Sequence, residues 1–474
     1  MRLDRAETEK LREQALTQPI SEVVVVGGGP AGSACAAELV RLGIPVLVWD
    51  RAVFPRDKVC AGWITPQIAD ALRLDPAEYG RRHVCQPILA FRVGLIGADT
   101  IEVQYDRPVS YGIRRCEFDT YLLRRCGAAL QLGEPVRRIQ RCSEGWTING
   151  RLRTRMLVGA GGHFCPVART LRGGRDSAAP TVPAQEIEFR MTSEQARHCR
   201  VAPECPELYF CRDFLGYAWC FRKGDYLNIG IGRIGEPRLS AHLQDFLAFL
   251  KRTGRVPFDL PGRFKGHAYR LLAPPLDHAV ADAAVLVGDA LGLAYPQSGE
   301  GIRPAVESGL LAARTIAAAA GRYDRTVLQR YADWLHDRFV GDRAIDDAAM
   351  GGLDATASSH TDATGLATDG RFSTTSAATA AGTTAPSESP SADERPTTPH
   401  TKRLTTPRLP ARERRRDIPA AGDGPLRRLR CLAGRLLLRN PWFVRRIVLE
   451  KWFLHRHVPP VFGTREASST DRRS

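Results

Sequence analysis

No two of the twelve cysteines in this 474-residue chain are spaced C-x-x-C. That removes the spacing of zinc ribbons and cysteine-ligated iron–sulfur clusters, and it suits reduced thiols in a cytoplasmic protein. Nowhere do ~20 apolar residues run uninterrupted, the length a spanning helix needs; Gly, Arg or Asn breaks each candidate. The opening MRLDRAETEKLREQALTQP is charged and polar, so no secretory signal is expected there. H-E-x-x-H is absent, and His163, His267 and His278 show no ligand spacing, so no metal site is expected. G-x-S-x-G is absent as well, which leaves a hydrolase without its nucleophile turn.

What the chain does have is the mix of a globular protein, 43% hydrophobic and 25% charged, enough to bury a sizeable core. Its net charge of +16 is concentrated in one place. Residues 401–460 carry 16 Lys+Arg against 4 Asp+Glu, so a basic tail needs explaining rather than a basic fold. Nucleic-acid binding is not expected, because no recognised module accompanies that tail.

EVVVVGGGPAGSACAAELVRLGIPVLVWDR reads as strand, tight turn, helix and strand. The unbroken run Val23–Val26 predicts a parallel strand buried on both faces. Gly27, Gly29 and Gly32 then form G-x-G-x-x-G: a tight turn, close backbone approach to a pyrophosphate, and close helix–strand packing. The helix start offers free N–H groups and a positive dipole to phosphates. Asp50, about 20 residues on, stands where a carboxylate accepts hydrogen bonds from an adenosine ribose. Gly230, Gly232 and Gly235 match the same pattern but end an alternating strand with no helix, strand and acid to follow. They are read as structural.

Further along, AAVLVGDALGLAYPQSGEGIRPAVESGLLAARTIAAAA reads as strand, loop and long helix. Its strand delivers Asp289 at the carboxyl end, where α/β sheets bind ligands. Between these parts, residues 185–270 alternate with Gly, Asp and Pro turns, which predicts an antiparallel sheet. From about 354 to 423 the chain is mostly Thr, Ala, Ser, Pro, Gly and Arg, with Phe372 its one aromatic residue. Such a composition buries too little apolar surface to offset its ordering entropy, so disorder is expected.

Over residues 21–340, and again from about 426, the sequence resembles the geranylgeranyl reductase family of flavoproteins, within the fold of para-hydroxybenzoate hydroxylase. YGIRRCEFDTYL resembles the family's R-x-x-F-D helix, which implies that Arg115 lies against FAD. VLVGDALGLAYPQSGEGI resembles its second FAD motif, which implies that Asp289, after Gly288, binds the ribityl chain. FPRDKVCAGWITP is similar to the reductases' K-x-C-x-G segment and GYAWCFRKGDYLNIGIG to their Y-x-W-x-F-x-K-G segment. Two departures stand out. Gly161 replaces the acid of an Asp-Gly pair and inherits no role, and Arg222 stands where proline is usual.

The expected fold is α/β: an FAD-binding Rossmann-like parallel-sheet domain, an inserted antiparallel-sheet substrate domain and a C-terminal helical tail. The expected division is an N-terminal extension at 1–19 and an FAD-binding domain in two parts, 20–180 and 276–342. The substrate domain would occupy 181–275, a linker 343–425, and a basic amphipathic tail 426–462. Expected cofactor contacts are Gly27, Gly29, Gly32, Asp50, Arg51, Arg115, Gly288, Asp289, Gly299, Glu300, Gly301 and Ile302. The last four open the long helix, whose positive end would stabilise reduced flavin.

For chemistry the candidates are Cys60, Tyr217 and Trp219. Arg56 and Lys58 near Cys60 favour a thiolate, hence a redox or proton-handling role; an inert small residue is the alternative. Tyr217, Trp219 and Phe221 share one strand face. The resemblance makes that face a lipophilic substrate wall, and ordinary sheet core is the other reading. Lys223 is either a solvated turn residue or a contact for a substrate phosphate, and His163 a turn cap.

The function so implied is FAD-dependent saturation of C=C bonds in a polyprenyl lipid. Electrons would come from NAD(P)H or a reduced protein donor; with no second Rossmann unit, any nicotinamide would bind transiently across the same cleft. A flavin monooxygenase on the same fold and a non-catalytic flavin-bound redox sensor or scaffold remain alternatives. A halogenase is disfavoured, because residues 217–222 do not match W-x-W-x-I-P. The tail either docks on a membrane surface as a peripheral contact or packs on the body with its basic face in water.

Overall fold

Val23, Val24 and Val25 are fully buried at the centre of an eight-stranded sheet, in strand β1 (Ile20–Val26). The computed structural model describes residues 20–341, apart from 176–178, 236–238 and 277, and residues 425–461. The expected N-terminal extension and nearly all of the expected linker therefore lie outside the described residues. Strand β1 pairs in parallel with Leu152–Gly159 on one side and with β2 (Val46–Asp50) on the other. Ala129–Leu132 and Ala284–Leu286 extend the parallel array outward. With neighbours on both edges and helices on its faces, β1 has no room for a polar side chain, which is why it reads as a valine run.

Helix α1 (Pro30–Arg41) follows the glycine turn at close range: a Cβ at Gly32 would lie 1.8 Å from the Gly27 carbonyl oxygen. Helix α2 (Arg115–Arg125) carries the R-x-x-F-D motif, with Phe118 and Asp119 buried.

The second sheet has seven strands. At its centre, β3 (Thr181–Arg190), β4 (Gly216–Lys223) and β5 (Tyr226–Arg233) pair antiparallel. It also takes Ala90–Leu95 and Thr100–Gln104 from the chain before residue 180, and Ala90–Leu95 pairs in parallel with Glu207–Phe210. The decoy glycines belong here. A Cβ at Gly230 would sit 2.3 Å from the Trp219 ring on the neighbouring strand, so this glycine makes room for an indole.

Helix α3 (Ile302–Ala318) returns across α1, where a Cβ at Gly309 would meet the Ala31 carbonyl oxygen at 2.3 Å. The tail opens with α4 (Pro425–Leu437) and continues through a π-helical stretch, Val444–Phe453. Val444, Val448, Leu449 and Phe453 are fully buried, in one cluster with Phe91, Val93, Trp219 and Phe221. This part of the tail is core. Among the described residues no helix is long and apolar enough to cross a membrane.

Candidate functional site

The Gly27 turn and the loop holding Gly299 and Gly301 open onto one cavity of about 860 Å³, walled by the carboxyl ends of β1 and β2, the Cys60 loop, β4 and the start of α3. Gly27 sits at φ +117°, and a Cβ there would lie 2.3 Å from the Ala160 carbonyl oxygen. No L side chain fits. Asp50 accepts from the Gly28 N–H at 2.7 Å and from the Ala52 N–H at 2.8 Å, so the carboxylate braces the turn that it follows in space. The exposed Arg51 lies on the same rim.

Of the expected cofactor contacts, Gly27, Gly29, Asp50, Arg51, Arg115, Asp289, Gly299, Glu300, Gly301 and Ile302 line this cavity. Gly32 and Gly288 are not in its wall. Gly288, at φ +60°, donates its N–H to Ser308 Oγ at 3.0 Å, and its missing side chain lets Ala31 and Ala305 close over it. Gly299 adopts φ +64°, and a Cβ there would meet the Tyr269 hydroxyl at 2.3 Å.

One detail differs from the sequence reading of α3. Glu300 Oε1 accepts the Arg303 N–H at 2.8 Å, so the helix start is partly capped by its own acid. Burial raises this carboxyl to about 7 against the opposing pull of the Arg303 N–H. Its Oε2 is buried in the cavity wall with no hydrogen-bond partner among the described residues. In its protonated form that oxygen would offer a donor to the cavity, which fits a ligand edge that carries acceptors.

Cys60 is held by its backbone. The Cys60 N–H donates to Glu186 Oε2 at 2.5 Å, and its carbonyl accepts from Asn228 Nδ2 at 3.1 Å. Asn228 in turn accepts the indole N–H of Trp219 at 2.7 Å. Two candidate residues are thus joined through Asn228 on β5 and braced by Glu186 on β3, neither of which stood out in the sequence. Burial pushes the Glu186 carboxyl up to about 7, with Lys223 opposing. The Cys60 side chain meets the Arg115 guanidinium, which is itself bidentate to Asp119 at 2.8 and 2.9 Å.

Lys223 corrects both sequence readings. It is 1% exposed, donates to Glu188 and to the Ile113 carbonyl at 2.9 Å each, and so neither faces solvent nor reaches the cavity. A strand-end lysine reads as solvated from sequence because the opposing glutamate lies 35 residues away. Lys58 and His267 are the reverse case. They lie in the cavity wall in direct contact, Nζ to Nε2. Burial and the neighbouring arginines lower Lys58 to about 8, while burial and then Lys58 lower His267 to about 3, so the neutral imidazole accepts. No local pattern marks His267. Its partner is 209 residues distant.

Tyr217 and Trp219 both line the cavity, and the Tyr217 hydroxyl donates to the Ser298 carbonyl at 2.5 Å. Phe221 points deeper and stacks on Trp63, with centroids 5.1 Å apart. The aromatic face is therefore wall at one end and core at the other. Among the described residues, no group of three or more His, Cys, Asp or Glu is placed to hold a metal.

Residues 25–58 match the NAD(P)-binding Rossmann-like domain family. The chain is 30% identical over 323 residues to a menaquinone reductase of Mycolicibacterium smegmatis, covering 63% of this chain and 76% of the relative. It is 26% identical over 327 residues to a digeranylgeranylglycerophospholipid reductase of Methanococcus vannielii, covering 65% and 80%. In fold it is similar to a geranylgeranyl bacteriochlorophyll reductase-like protein of Thermoplasma acidophilum, with TM-score 0.58, 21% identity, and coverage of 70% of this chain and 87% of that one. The cavity brings together the Gly27 turn, Asp50, Asp289 and the unpartnered Glu300 oxygen, a set of groups that fits a dinucleotide cofactor. On these grounds the chain belongs to the geranylgeranyl reductase family of FAD-dependent oxidoreductases.

Proposed function

We propose that the protein saturates C=C bonds in the isoprenoid chain of a lipid. The observation that carries this reading is the wall of the cavity. Tyr217, Trp219, Trp63 and Tyr269 line it, and the two tryptophans continue into the apolar cluster behind. An extended hydrocarbon fits such a surface. Menaquinone and digeranylgeranylglycerophospholipid, in the names of the relatives, share an isoprenoid chain.

FAD, when bound, supplies hydride chemistry. The chain's own residues do the rest. Gly27, Gly29 and the first turn of α1 take the pyrophosphate, with Gly32 and Gly288 keeping the backbones close. Asp50 and Arg51 hold the adenosine end, Asp289 the ribityl chain, and Gly299, Glu300, Gly301 and Ile302 the pyrimidine edge. Alkene reduction adds a hydride to one carbon and a proton to the other. The Cys60 thiol donates that proton, Arg115 stabilises the thiolate left behind, and solvent returns the proton between turnovers. Tyr217 and Trp219 fix the double bond and keep water out. Electrons enter from NAD(P)H or a reduced protein across the same cleft.

The test is anaerobic reduction of purified holoprotein, followed by mixing with geranylgeranyl lipids and isoprenoid quinones. Lipid-dependent reoxidation with a product two mass units heavier per bond is the expected result. Reoxidation by oxygen alone, with hydroxylated product, would overturn it in favour of a monooxygenase. Flavin that no lipid reoxidises would point to a sensor.

A further inference from the structure

Helix α4 is built inside out. Among its described side chains, Cys431 and Gly434 face the body, followed by the buried Leu438, and a Cβ at Gly434 would lie 2.7 Å from the Phe214 ring. The opposite side carries Leu429, Leu432 and Leu436, at i, i+3 and i+7, which are 63%, 55% and 59% exposed. Leu437 and Trp442 add to the same region at 40% and 64%. A helix on a soluble surface ordinarily turns its polar face outward. Here leucine faces out and arginine flanks it, with Arg435 and Arg439 exposed beside the stripe.

We propose that this face docks on an anionic lipid surface, with the leucines and Trp442 in the interface and Arg435 and Arg439 against phosphate headgroups. Charge argues for that occupant. The stretch around the helix carries 16 cationic residues against 4 acidic ones over 401–460, and cations beside an anionic bilayer strengthen docking. Two rival occupants fit less well. Residues 354–423 hold one aromatic residue and few aliphatics, too little to cover a leucine stripe. A second copy docked face to face would set two groups of arginines against each other. The placement also has a use. The π-helical stretch that follows α4 ends at Phe453, whose ring lies 5.1 Å from Tyr217 and 6.0 Å from Trp63, both in the cavity wall. The inference goes beyond the proposed chemistry and stands whichever bond is reduced.

The full-length holoprotein should cosediment with vesicles of phosphatidylcholine and phosphatidylglycerol, far less with phosphatidylcholine alone, and less as salt is raised. Combining Leu432→Glu with Leu436→Glu should weaken cosedimentation at least about tenfold. Arg435→Gln with Arg439→Gln should weaken it and flatten the salt dependence. Flavin content and turnover of detergent-dispersed lipid should be unchanged in all of these, which separates failed docking from failed chemistry. The proposal is overturned if wild-type protein stays in the supernatant with anionic vesicles, or if the leucine variant binds as well. It is equally overturned if free protein is a dimer that the leucine variant dissociates.

Discussion

Asn228 joins two candidate residues that no sequence pattern connects, and its loss should be felt at both. Asn228→Ala frees the Cys60 carbonyl and leaves the Trp219 N–H buried without its acceptor, a cost of about 1–3 kcal/mol. The expected outcome is normal flavin content, a kcat reduced by roughly tenfold, and faster alkylation of Cys60 as its loop loosens. Gly299→Ala acts differently, since its φ of +64° and the Tyr269 hydroxyl leave no room for a methyl. That variant should purify with little FAD, measured by absorbance against protein. Glu186 has a pH signature. Burial holds it near 7, above its ordinary 4.5, so the folded protein keeps a proton that the unfolded chain releases. Stability therefore falls as pH rises between those values and levels off above them. In thermal scans Glu186→Gln should gain a few degrees over wild type at pH 8 and nothing at pH 4. Some slope should survive in that variant, because Glu300 is raised in the same sense.

Among the elements, α3 does two jobs through one residue. Arg303, 1% exposed, pairs with Glu307 at 2.9 Å and donates to the carbonyls of His455 at 3.0 Å and Val458 at 2.9 Å. The helix that opens at the cavity wall thus also anchors the end of the tail. Arg303→Gln should release that end and leave Glu307 with Arg338 alone, at a cost of roughly 3–5 kcal/mol. Limited proteolysis should then cut within 438–461 sooner than in wild type, while the parallel-sheet core resists. The elements themselves were readable from local pattern. The valine run, the glycine turn and the small-residue helix each state a short-range requirement, and β1, α1 and β2 appear where it demands. Less readable was the membership of the second sheet. Ala90–Leu95 and Thr100–Gln104 look like any half-buried hairpin, and the pairing of Ala90–Leu95 with Glu207–Phe210, more than 100 residues away, decides which sheet receives both.

At the scale of the molecule, the cavity is where these levels meet, and legibility divides along it. Positions set by local backbone geometry could be named in advance: Gly27 turns at positive φ and Asp50 ends a buried strand, while Asp289 sits in the short helical turn that follows its strand. Residues whose role follows from a distant partner could not. His267 meets Lys58 and Glu186 braces Cys60 where the second sheet packs on the loop before residue 61, and Lys223 is neutralised by Glu188 across the strand between them in that sheet. The amphipathic tail shows both sides of the division in one segment. Its composition announced a basic, apolar-rich helix pair; which face of α4 was left to solvent depended on Gly434 settling against Phe214. Local sequence alone determined the nucleotide fold, its cofactor motifs and the strand face carrying Tyr217 and Trp219, because each rests on backbone torsion or two- and three-residue periodicity. The tertiary structure decided which charges are buried, which pairs neutralise them and which apolar face remains open, because desolvation and contact depend on neighbours that the chain brings together only when folded.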